Sequence, residues 1–125
     1  MWGLAFKPYT DDIREAPALS IISALLALGA TITAYDPEAM IAVRALLGDS
    51  IGYATNQYEV LAGADALIIA TEWSEFRTPD FDRMDLLMGG NKIVFDGRNL
   101  FEVNKMKELG FYYESIGRNS HCINS

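Results

Sequence analysis

The sequence predicts an α/β fold with three layers, in which an open, mostly parallel sheet carries helices on both faces. Apolar, β-branched segments alternate with helical segments along the chain, an order typical of parallel sheets. The links between the segments are short, and right-handed crossovers then place successive strands side by side. One run, Ala66–Ala70, is apolar throughout, which is the pattern of a strand covered on both faces.

The first half of the chain contains three predicted strands and two predicted helices. The strands are predicted at Trp2–Phe6, Thr31–Tyr35 and Ile51–Ala54. Pro17 is tolerated in the first turn of a helix, and Gly29 is a typical residue at a helix end. Asp36 stands directly before a proline and is expected to cap a second helix over Glu38–Leu47.

The second half repeats the alternation. Strands are predicted at Ala66–Ala70, Lys92–Phe95 and Tyr112–Ile116, and helices at Asn56–Ala62, Phe81–Met88 and Glu102–Leu109. Ligands of such sheets bind outside the carboxyl ends of the strands. Three loops are therefore expected to matter most for function, namely Lys7–Arg14, Thr71–Phe76 and Asp96–Asn99.

Length and composition limit the classes of function. A chain of 125 residues predicts one domain, here over residues 1–118, with residues 119–125 as a tail. Ten Lys and Arg stand against seventeen Asp and Glu, so the net charge is -7, and nucleic-acid binding is disfavoured because it needs a basic face. A single cysteine, Cys122, allows no internal disulfide and does not favour a thiolate metal cluster. We expect a cytoplasmic protein without a metal site.

The most apolar stretch, Ala16–Ala30, predicts a buried core helix. It is shorter than the roughly 20 residues that a membrane span needs. No basic segment precedes it, so it does not resemble a signal peptide.

The turn after the first predicted strand lacks the glycines of a dinucleotide site. The sheet is similar to a Rossmann fold, which binds a pyrophosphate through a Gly-x-Gly-x-x-Gly turn. This chain has Gly3 alone in that region, placed inside the predicted strand. Asp36 occupies the position where an acid could hold a ribose, but without the glycine turn helix capping is its expected role.

Two cations stand at separate strand ends. Lys7 lies in the first loop, and a lysine there suits a phosphate, a carboxylate or a sugar oxygen as well as plain solvation. Arg98 follows a buried strand directly, which places it at the ligand edge of the sheet. The pair matches the pattern expected for a diphosphate clamp. Arg14, at the entry to the first helix, suits a phosphate or a subunit contact, or equally an ion pair with Asp11, Asp12 or Glu15.

Other candidates have simpler structural explanations. His121 and Cys122 are adjacent in the predicted tail, where no third group is positioned to complete a catalytic dyad. Asp11 and Asp12 are neighbours whose side chains diverge, so loop bracing is expected of them rather than acid–base chemistry. The aromatic pair Trp73 and Phe76 suits a hydrophobic floor under a ligand, or packing at a loop or subunit contact.

Several motifs resemble the C-terminal domain of the UDP-glucose/GDP-mannose dehydrogenase family. The longest runs Gly3-Leu-Ala-Phe-Lys-Pro-x-Thr-Asp-Asp-Ile-Arg-Glu-Ala-Pro17. The resemblance continues through Gly29-Ala30, Ala34-Tyr-Asp-Pro37, Ala64-Asp-Ala66, Thr71-Glu-Trp-x-Glu-Phe76, Asp96-Gly-Arg-Asn99 and Ser115-Ile-Gly-Arg118. It covers nearly the whole chain in register.

The resemblance implies a function and roles for four residues. The family oxidises a sugar's primary alcohol to a carboxylate in two hydride transfers with two NAD. Members acting on UDP-glucose are the commonest, and those acting on UDP-N-acetyl sugars or GDP-mannose share these motifs. Phe6, Lys7 and Arg98 should contact the nucleotide sugar, and Arg14 should reach toward NAD held by an N-terminal domain. A central helical region joins the halves and forms a homodimer. No membrane or nucleic-acid partner is implied.

The sequence departs from the family where the oxidation takes place. The catalytic Gly-x-Cys-Phe-Pro-Lys motif is absent, and Cys122 lies in another context. We therefore expect no catalytic residue in this chain and no oxidation by it alone. The alternative hypothesis is a signalling module of receiver type, for which Asp11, Asp12 and Asp96 supply acids, although Lys7 stands where that loop should begin with acids.

Overall fold

The computed structural model describes residues 1–115, which form a parallel α/β domain. The helices are α1 (Pro17–Ala27), α2 (Met40–Leu47), α3 (Ser74–Arg77), α4 (Phe81–Met88) and α5 (Val103–Glu108), with 3-10 turns at Gly48–Ser50 and Glu59–Leu61. The strands are β1 (Thr33–Ala34), β2 (Gly52–Tyr53), β3 (Leu67–Ile69), β4 (Ile93–Asp96) and β5 (Tyr112–Ser115). The predicted α/β class with a parallel sheet is confirmed.

Trp2 joins two groups of strands into one surface. β1 pairs with β2, and β4 lies between β3 and β5, all in parallel. Trp2 makes parallel bridges to Tyr35 on one side and Ile69 on the other. The order is therefore β2–β1–Trp2–β3–β4–β5, so that the second and fourth strands of the chain flank the first. That order is the Rossmann order 3-2-1-4-5-6.

The first strand is much shorter than the predicted Trp2–Phe6. Its backbone pairs with strands on both sides only near Trp2. On the β3 side, the Trp2 N–H donates to Ile68 O at 2.8 Å and the Trp2 carbonyl accepts from Ala70 N at 2.8 Å. Gly3 follows with φ of 92°, which ends the extended conformation. A Cβ at Gly3 would lie 2.4 Å from Cβ of Thr71. The glycine thus permits a close approach between two strand ends, and it lies at the end of the strand and not inside it.

Two hydrophobic cores lie on opposite faces of the sheet. Leu67 and Ile69 belong to one core with residues of α3, α4 and α5. Ile68 packs against the other core, which contains Ile22 of α1 and Val43 of α2. Since alternate residues of a strand point to opposite faces, the helices of the two halves pack on different sides of the sheet.

Two predicted segments have a different local structure. The predicted helix Asn56–Ala62 is a 3-10 turn at Glu59–Leu61, followed by an extended backbone at Ala62. Asn56 does accept bonds from two following N–H groups, as a helix cap does, but the segment ends after one turn. The predicted loop Thr71–Phe76 contains the start of α3. Helix α4 has the predicted bounds, the boundaries of the other helices and strands move by a few residues, and Ile116 lies outside the described part.

The apolar stretch Ala16–Ala30 does form a helix, but it is not buried on all sides. Only Ala18 and Ile22 of α1 are buried, while Leu28, just after it, is 83% exposed. The helix covers the sheet with one side and leaves apolar residues on the other. Among residues 1–115, no helix is long and apolar enough to cross a lipid bilayer.

Candidate functional site

The sheet has one position where its connections leave in opposite directions. From Trp2 the chain crosses to β1, whereas β3 lies on the other side of Trp2. In parallel sheets the crevice at the carboxyl ends beside such a position is where ligands bind. Loops that follow Trp2, β3 and β4 meet there, and they correspond to the three loops singled out in the sequence.

The loop after β4 is built on a buried carboxylate. Asp96 is fully buried, and its Oδ1 accepts from the N–H of Arg98 at 2.8 Å. Its Oδ2 accepts from the N–H of Leu100 at 2.7 Å and from the hydroxyl of Tyr113 at 2.6 Å. These bonds satisfy both oxygens and fold the chain into a tight turn that projects the Arg98 side chain over the sheet edge.

The Arg98 side chain joins three strand ends. Its Nε donates to Oε1 of Glu72 at 3.0 Å, and its Nη2 lies 2.8 Å from the same oxygen. Nη2 also donates to the carbonyl of Phe6 at 2.7 Å. Glu72 follows β3 and Phe6 follows Trp2, so a single guanidinium connects the loops after the first, fourth and fifth strands.

Phe6 and Lys7 are exposed at the same edge. The Phe6 ring is 44% exposed, and the Arg98 guanidinium carbon lies 5.6 Å from its centroid. Lys7 is exposed and makes no hydrogen bond or ion pair with residues 1–115. The structure therefore brings Arg98 and Phe6 together, and Lys7 follows Phe6 directly in the chain with an exposed side chain.

On the other side of Trp2 a second buried carboxylate closes the backbone. Oδ2 of Asp36 accepts from the N–H groups of Leu4 and Ala5 at 2.7 and 3.3 Å. Its Oδ1 accepts from Glu38 and Ala39, both at 2.8 Å, at the turn before α2. Asp36 thus has the expected capping role, and it also takes the amides that a dinucleotide fold would turn toward a pyrophosphate.

The rest of the first loop lies over the start of α3. The Tyr9 ring contacts the Trp73 ring edge-on at 4.6 Å, and its hydroxyl donates to Oγ of Ser74 at 2.9 Å. Trp73 is buried beneath it, and Phe76 stacks on Trp2 at 5.1 Å. Both predicted aromatic residues therefore serve as packing that holds this loop in place.

Arg14 forms one of the three ion pairs left open by its sequence. Its Nε and Nη2 donate to the two carboxylate oxygens of Asp12 at 3.0 and 2.9 Å. These hydrogen bonds lower the pKa of Asp12 to about 2. Both side chains are exposed, with 87% of the Arg14 side chain in solvent, so the pair lies on the surface.

Two tyrosines next to the buried aspartates have shifted ionisation. Burial, with a hydrogen bond to Asp96, raises the pKa of Tyr113 to about 12. Burial, with the neighbouring charge of Glu75, raises the pKa of Tyr35 to about 12. Both phenols stay protonated at neutral pH and act as hydrogen-bond donors.

The sequence interpretation missed Glu72. It was part of a loop named as important, yet no role followed from its charge. The signal was its place: an acid in the loop after a buried strand whose neighbour in the sheet is followed by Arg98. Knowing the strand order would have paired them. His121 and Cys122 lie outside the described residues.

The acids proposed for a receiver do not come together. Asp12 is engaged by Arg14, and Asp96 is buried under its own turn. In residues 1–115 no group of three or more histidine, cysteine or acidic residues is placed to hold a metal ion. The strand order also differs, because receivers have the order 2-1-3-4-5. The receiver hypothesis therefore finds no support.

Comparison with known proteins agrees with the geometry. A family model described as the UDP binding domain of the UDP-glucose/GDP-mannose dehydrogenase family matches residues 1–103. The chain belongs to this family. The match begins at the first strand and includes the turns of Asp36 and Asp96, so this domain of the dehydrogenase family contains the whole candidate site.

Relatives within the dehydrogenase family are similar along nearly the full chain. UDP-glucose 6-dehydrogenase of Pseudomonas aeruginosa is 44% identical over 98% of the chain, which covers 28% of that relative. The enzyme of the same name from Rhizobium meliloti is 46% identical over 93% of the chain and 26% of its own length. The chain thus spans about a quarter of the curated relatives it matches.

Solved structures in the dehydrogenase family share the fold. A UDP-glucose dehydrogenase from Pyrobaculum islandicum has a TM-score of 0.72 and 38% identity, with 90% of this chain and 23% of that chain covered. An NDP-N-acetyl-D-galactosaminuronic acid dehydrogenase from Methanosarcina mazei has a TM-score of 0.81 and 26% identity, with 96% and 24% covered.

Proposed function

We propose that this chain is the substrate-binding domain of an NAD-dependent UDP-sugar 6-dehydrogenase, with UDP-glucose as the first choice of substrate. Phe6, Lys7 and Arg98 would hold the nucleotide sugar at the rim of the sheet. The observation that carries the proposal is the contact of the Arg98 guanidinium with the Phe6 carbonyl at 2.7 Å. It brings the cation of one strand end against the residue that directly precedes Lys7 in the first loop.

The charge of the rim suits a diphosphate. Lys7 supplies a compact ammonium, and Arg98 supplies donors held by its turn. The net charge of -7 does not oppose this, because a few cations in a cleft can hold an anion while the outer surface stays negative. The exposed Phe6 ring adds an apolar surface for a sugar or base.

The site does not fit NAD at the first turn. The amides of Leu4 and Ala5 already bond to Asp36, so these two N–H groups are not available to a pyrophosphate. NAD would accordingly be bound mainly by another part of the enzyme, as the family resemblance implies. We propose that Arg14, exposed on the first loop, reaches toward that NAD.

In the complete enzyme this domain would bind and orient the nucleotide sugar. The oxidation of UDP-glucose to UDP-glucuronate consumes one water, transfers two hydrides to two NAD and releases protons to solvent. We expect this chain alone to bind substrate without oxidising it. Incubation of the purified chain with UDP-glucose and NAD should give no NADH absorbance, and steady NADH formation would overturn that expectation. A homodimer and a cytoplasmic location remain predictions from the sequence.

Binding of UDP to the purified chain tests the proposal. Calorimetric titration should give saturable binding, and Arg98→Ala should weaken it at least about tenfold, because hydrogen bonds to charged groups contribute about 1.5–3 kcal/mol. Lys7→Ala should also weaken it. Uridine, which has no phosphates, should show no such dependence on either residue.

Lys107→Ala is a matched control. Lys107 is exposed in the last turn of α5, which leads to the start of β5 and therefore lies toward the opposite edge of the sheet. Removing this charge should leave UDP affinity unchanged. Equal weakening by Arg98→Ala and Lys107→Ala would reject a local diphosphate site, and absence of UDP binding to the wild-type chain would reject the proposed function.

A further inference from the structure

The Arg98 guanidinium is occupied on one side only. Its Nε and Nη2 both contact Oε1 of Glu72, and Nη2 also donates to the carbonyl of Phe6. An arginine has five N–H donors arranged in a plane. Within residues 1–115, Nη1 of Arg98 has no hydrogen-bond partner, so its two donors remain for another molecule.

We propose that Glu72 is a positioning residue that fixes this plane so that Nη1 of Arg98 donates to the phosphate of the nucleotide sugar. The inference rests on the proposed function and deepens it. It replaces the usual fork, in which an arginine binds a phosphate through two nitrogens, by a contact through one nitrogen. Glu72 would act through Arg98 without touching the ligand.

The backbone at Glu72 is rigid enough for this role. Thr71 is fully buried, and its hydroxyl donates to the carbonyl of Ala5 at 2.6 Å. Trp73 on the other side is buried as well. Glu72 is therefore held between two anchored residues, one of them bonded to the first loop, and its carboxylate is 32% exposed beside the Arg98 side chain at 24%.

The charge of Glu72 and its acceptor oxygen have opposite effects on a bound phosphate. The carboxylate repels a phosphate and partly neutralises Arg98, whereas the oxygen orients the guanidinium. A glutamine keeps an acceptor oxygen and removes the charge, and an alanine removes both. The two substitutions therefore separate positioning from charge, because only a positioning role is rescued by the amide.

The experiment measures UDP and uridine affinity of the full chain for Glu72→Ala, Glu72→Gln and Arg98→Ala. Glu72→Ala should weaken UDP binding about two- to tenfold, which is the cost of immobilising one long side chain at a binding site. Glu72→Gln should bind UDP as tightly as the wild type or tighter. Uridine affinity should not change, which also shows that the variants are folded. Glu108→Ala, an exposed acid of α5, is the control.

A spectroscopic signature completes the test. In the wild type and in Glu72→Gln, the Nε–H resonance of Arg98 should be sharp and protected from exchange, and in Glu72→Ala it should broaden. Tighter UDP binding in both Glu72 variants would show a plain counter-ion and overturn the proposal. No change in either variant, or equal weakening in both, would overturn it too. If Arg98→Ala binds UDP like the wild type, the proposed function of Arg98 fails, whatever Glu72 does.

Discussion

Two turns at the carboxyl edge of the sheet each begin with a buried aspartate, but the two carboxylates bind different groups. The Asp36 turn (residues 36–39) and the Asp96 turn (residues 96–100) each begin with a fully buried aspartate after a parallel strand. Asp36 accepts four backbone N–H groups, two of them from Leu4 and Ala5 after the first strand. Asp96 accepts two backbone N–H groups and one phenol.

The difference decides which half of the edge can bind a ligand. At the Asp36 turn every carboxylate bond goes to backbone, and it consumes amides that a dinucleotide fold offers to phosphate. At the Asp96 turn the carboxylate shapes the loop that carries Arg98, two residues further along the chain, whose side chain projects outward. The domain keeps the Rossmann strand order and moves anion recognition from backbone amides of the first turn to side chains at the rim.

The largest expected effect comes from two glycines: Gly3, which precedes the two amides that Asp36 binds, and Gly97, which lies in the Asp96 turn. Gly3→Ala places a Cβ 2.4 Å from Cβ of Thr71 and 2.7 Å from its backbone nitrogen, at a φ of 92°. Gly97→Ala places a Cβ 3.1 Å from the carbonyl of Ile69, without a positive φ. We expect Gly3→Ala to lower the free energy of unfolding by more than about 4 kcal/mol or to misfold. We expect Gly97→Ala to lower it by about 1–3 kcal/mol.

Urea unfolding followed by circular dichroism measures both variants. An unfolding midpoint of Gly3→Ala within error of the wild type would show that the first loop is not held against Thr71. A larger loss at Gly97 than at Gly3 would reverse the comparison, because it would make the Asp96 turn the more constrained of the two.

Neutralising each aspartate tests how its bonds are distributed. In Asp36→Asn one oxygen becomes an NH₂ group, so two buried N–H groups lose their acceptor, at a cost of about 1–3 kcal/mol each. In Asp96→Asn the remaining oxygen can serve Leu100 and Tyr113, and only the N–H of Arg98 is lost. Asp36→Asn should therefore cost about twice as much free energy of unfolding as Asp96→Asn.

Denaturant unfolding at neutral pH gives the two values, and UDP titration gives a second contrast. Asp96→Asn should weaken UDP binding because it loosens the turn that carries Arg98, whereas Asp36→Asn should change stability with little effect on affinity where the protein is folded. Equal stability losses would contradict the bond counting, and unchanged UDP affinity in Asp96→Asn would separate the turn from the site.

The fold class could be predicted from the sequence, because the signals for helices and strands are local and recur along the chain. Helix α4 was predicted with its observed bounds, since Asp80 caps it and Gly89 ends it. The length of the first strand was not predictable, because what ends it is the approach of Thr71 to Gly3, a contact between residues far apart in the chain. The extent of burial of α1 was overestimated, since hydrophobicity does not tell how much of a helix the neighbouring layer covers.

The candidate site was predictable only in part. Lys7 and Arg98 follow buried strands, and strand ends mark the ligand edge from sequence alone. Glu72 required the strand order, since its role depends on β3 lying between Trp2 and β4. The second function of Asp36, as acceptor of the first loop's amides, likewise depends on a contact across 32 positions.

The tyrosine next to each buried aspartate, Tyr35 beside Asp36 and Tyr113 beside Asp96, offers a test with a smaller expected effect. The pKa values of Tyr113 and Tyr35 are both about 12, above the ordinary value near 10. Because the folded pKa is raised, the neutral phenol's contribution to stability is full below pH 10 and is lost as the pH rises through 12. In tyrosinate absorbance both residues should therefore titrate late, and Tyr113→Phe should remove one late-titrating group.

Asp96→Asn sharpens that comparison. Removing the carboxylate charge should lower the pKa of Tyr113, because the hydrogen bond to Asp96 is among its causes. Asp36 is the least of the causes that raise the pKa of Tyr35, so Asp36→Asn should shift that residue less. Titration of both tyrosines near the ordinary value in the wild-type protein would show that neither phenol is held as the structure describes.

The smallest expected effect lies on the first loop, which belongs to neither turn. Hydrogen bonds from Arg14 lower the pKa of Asp12 to about 2, yet both side chains are exposed, and exposed ion pairs contribute little to stability. Arg14→Ala should return the pKa of Asp12 toward its ordinary value in a carboxyl NMR titration, while the unfolding midpoint at neutral pH stays unchanged. UDP affinity should also stay unchanged, since Arg14 is proposed to face NAD and not the nucleotide sugar. A loss of UDP affinity in Arg14→Ala would extend the substrate site beyond the rim of Lys7 and Arg98 and onto the first loop.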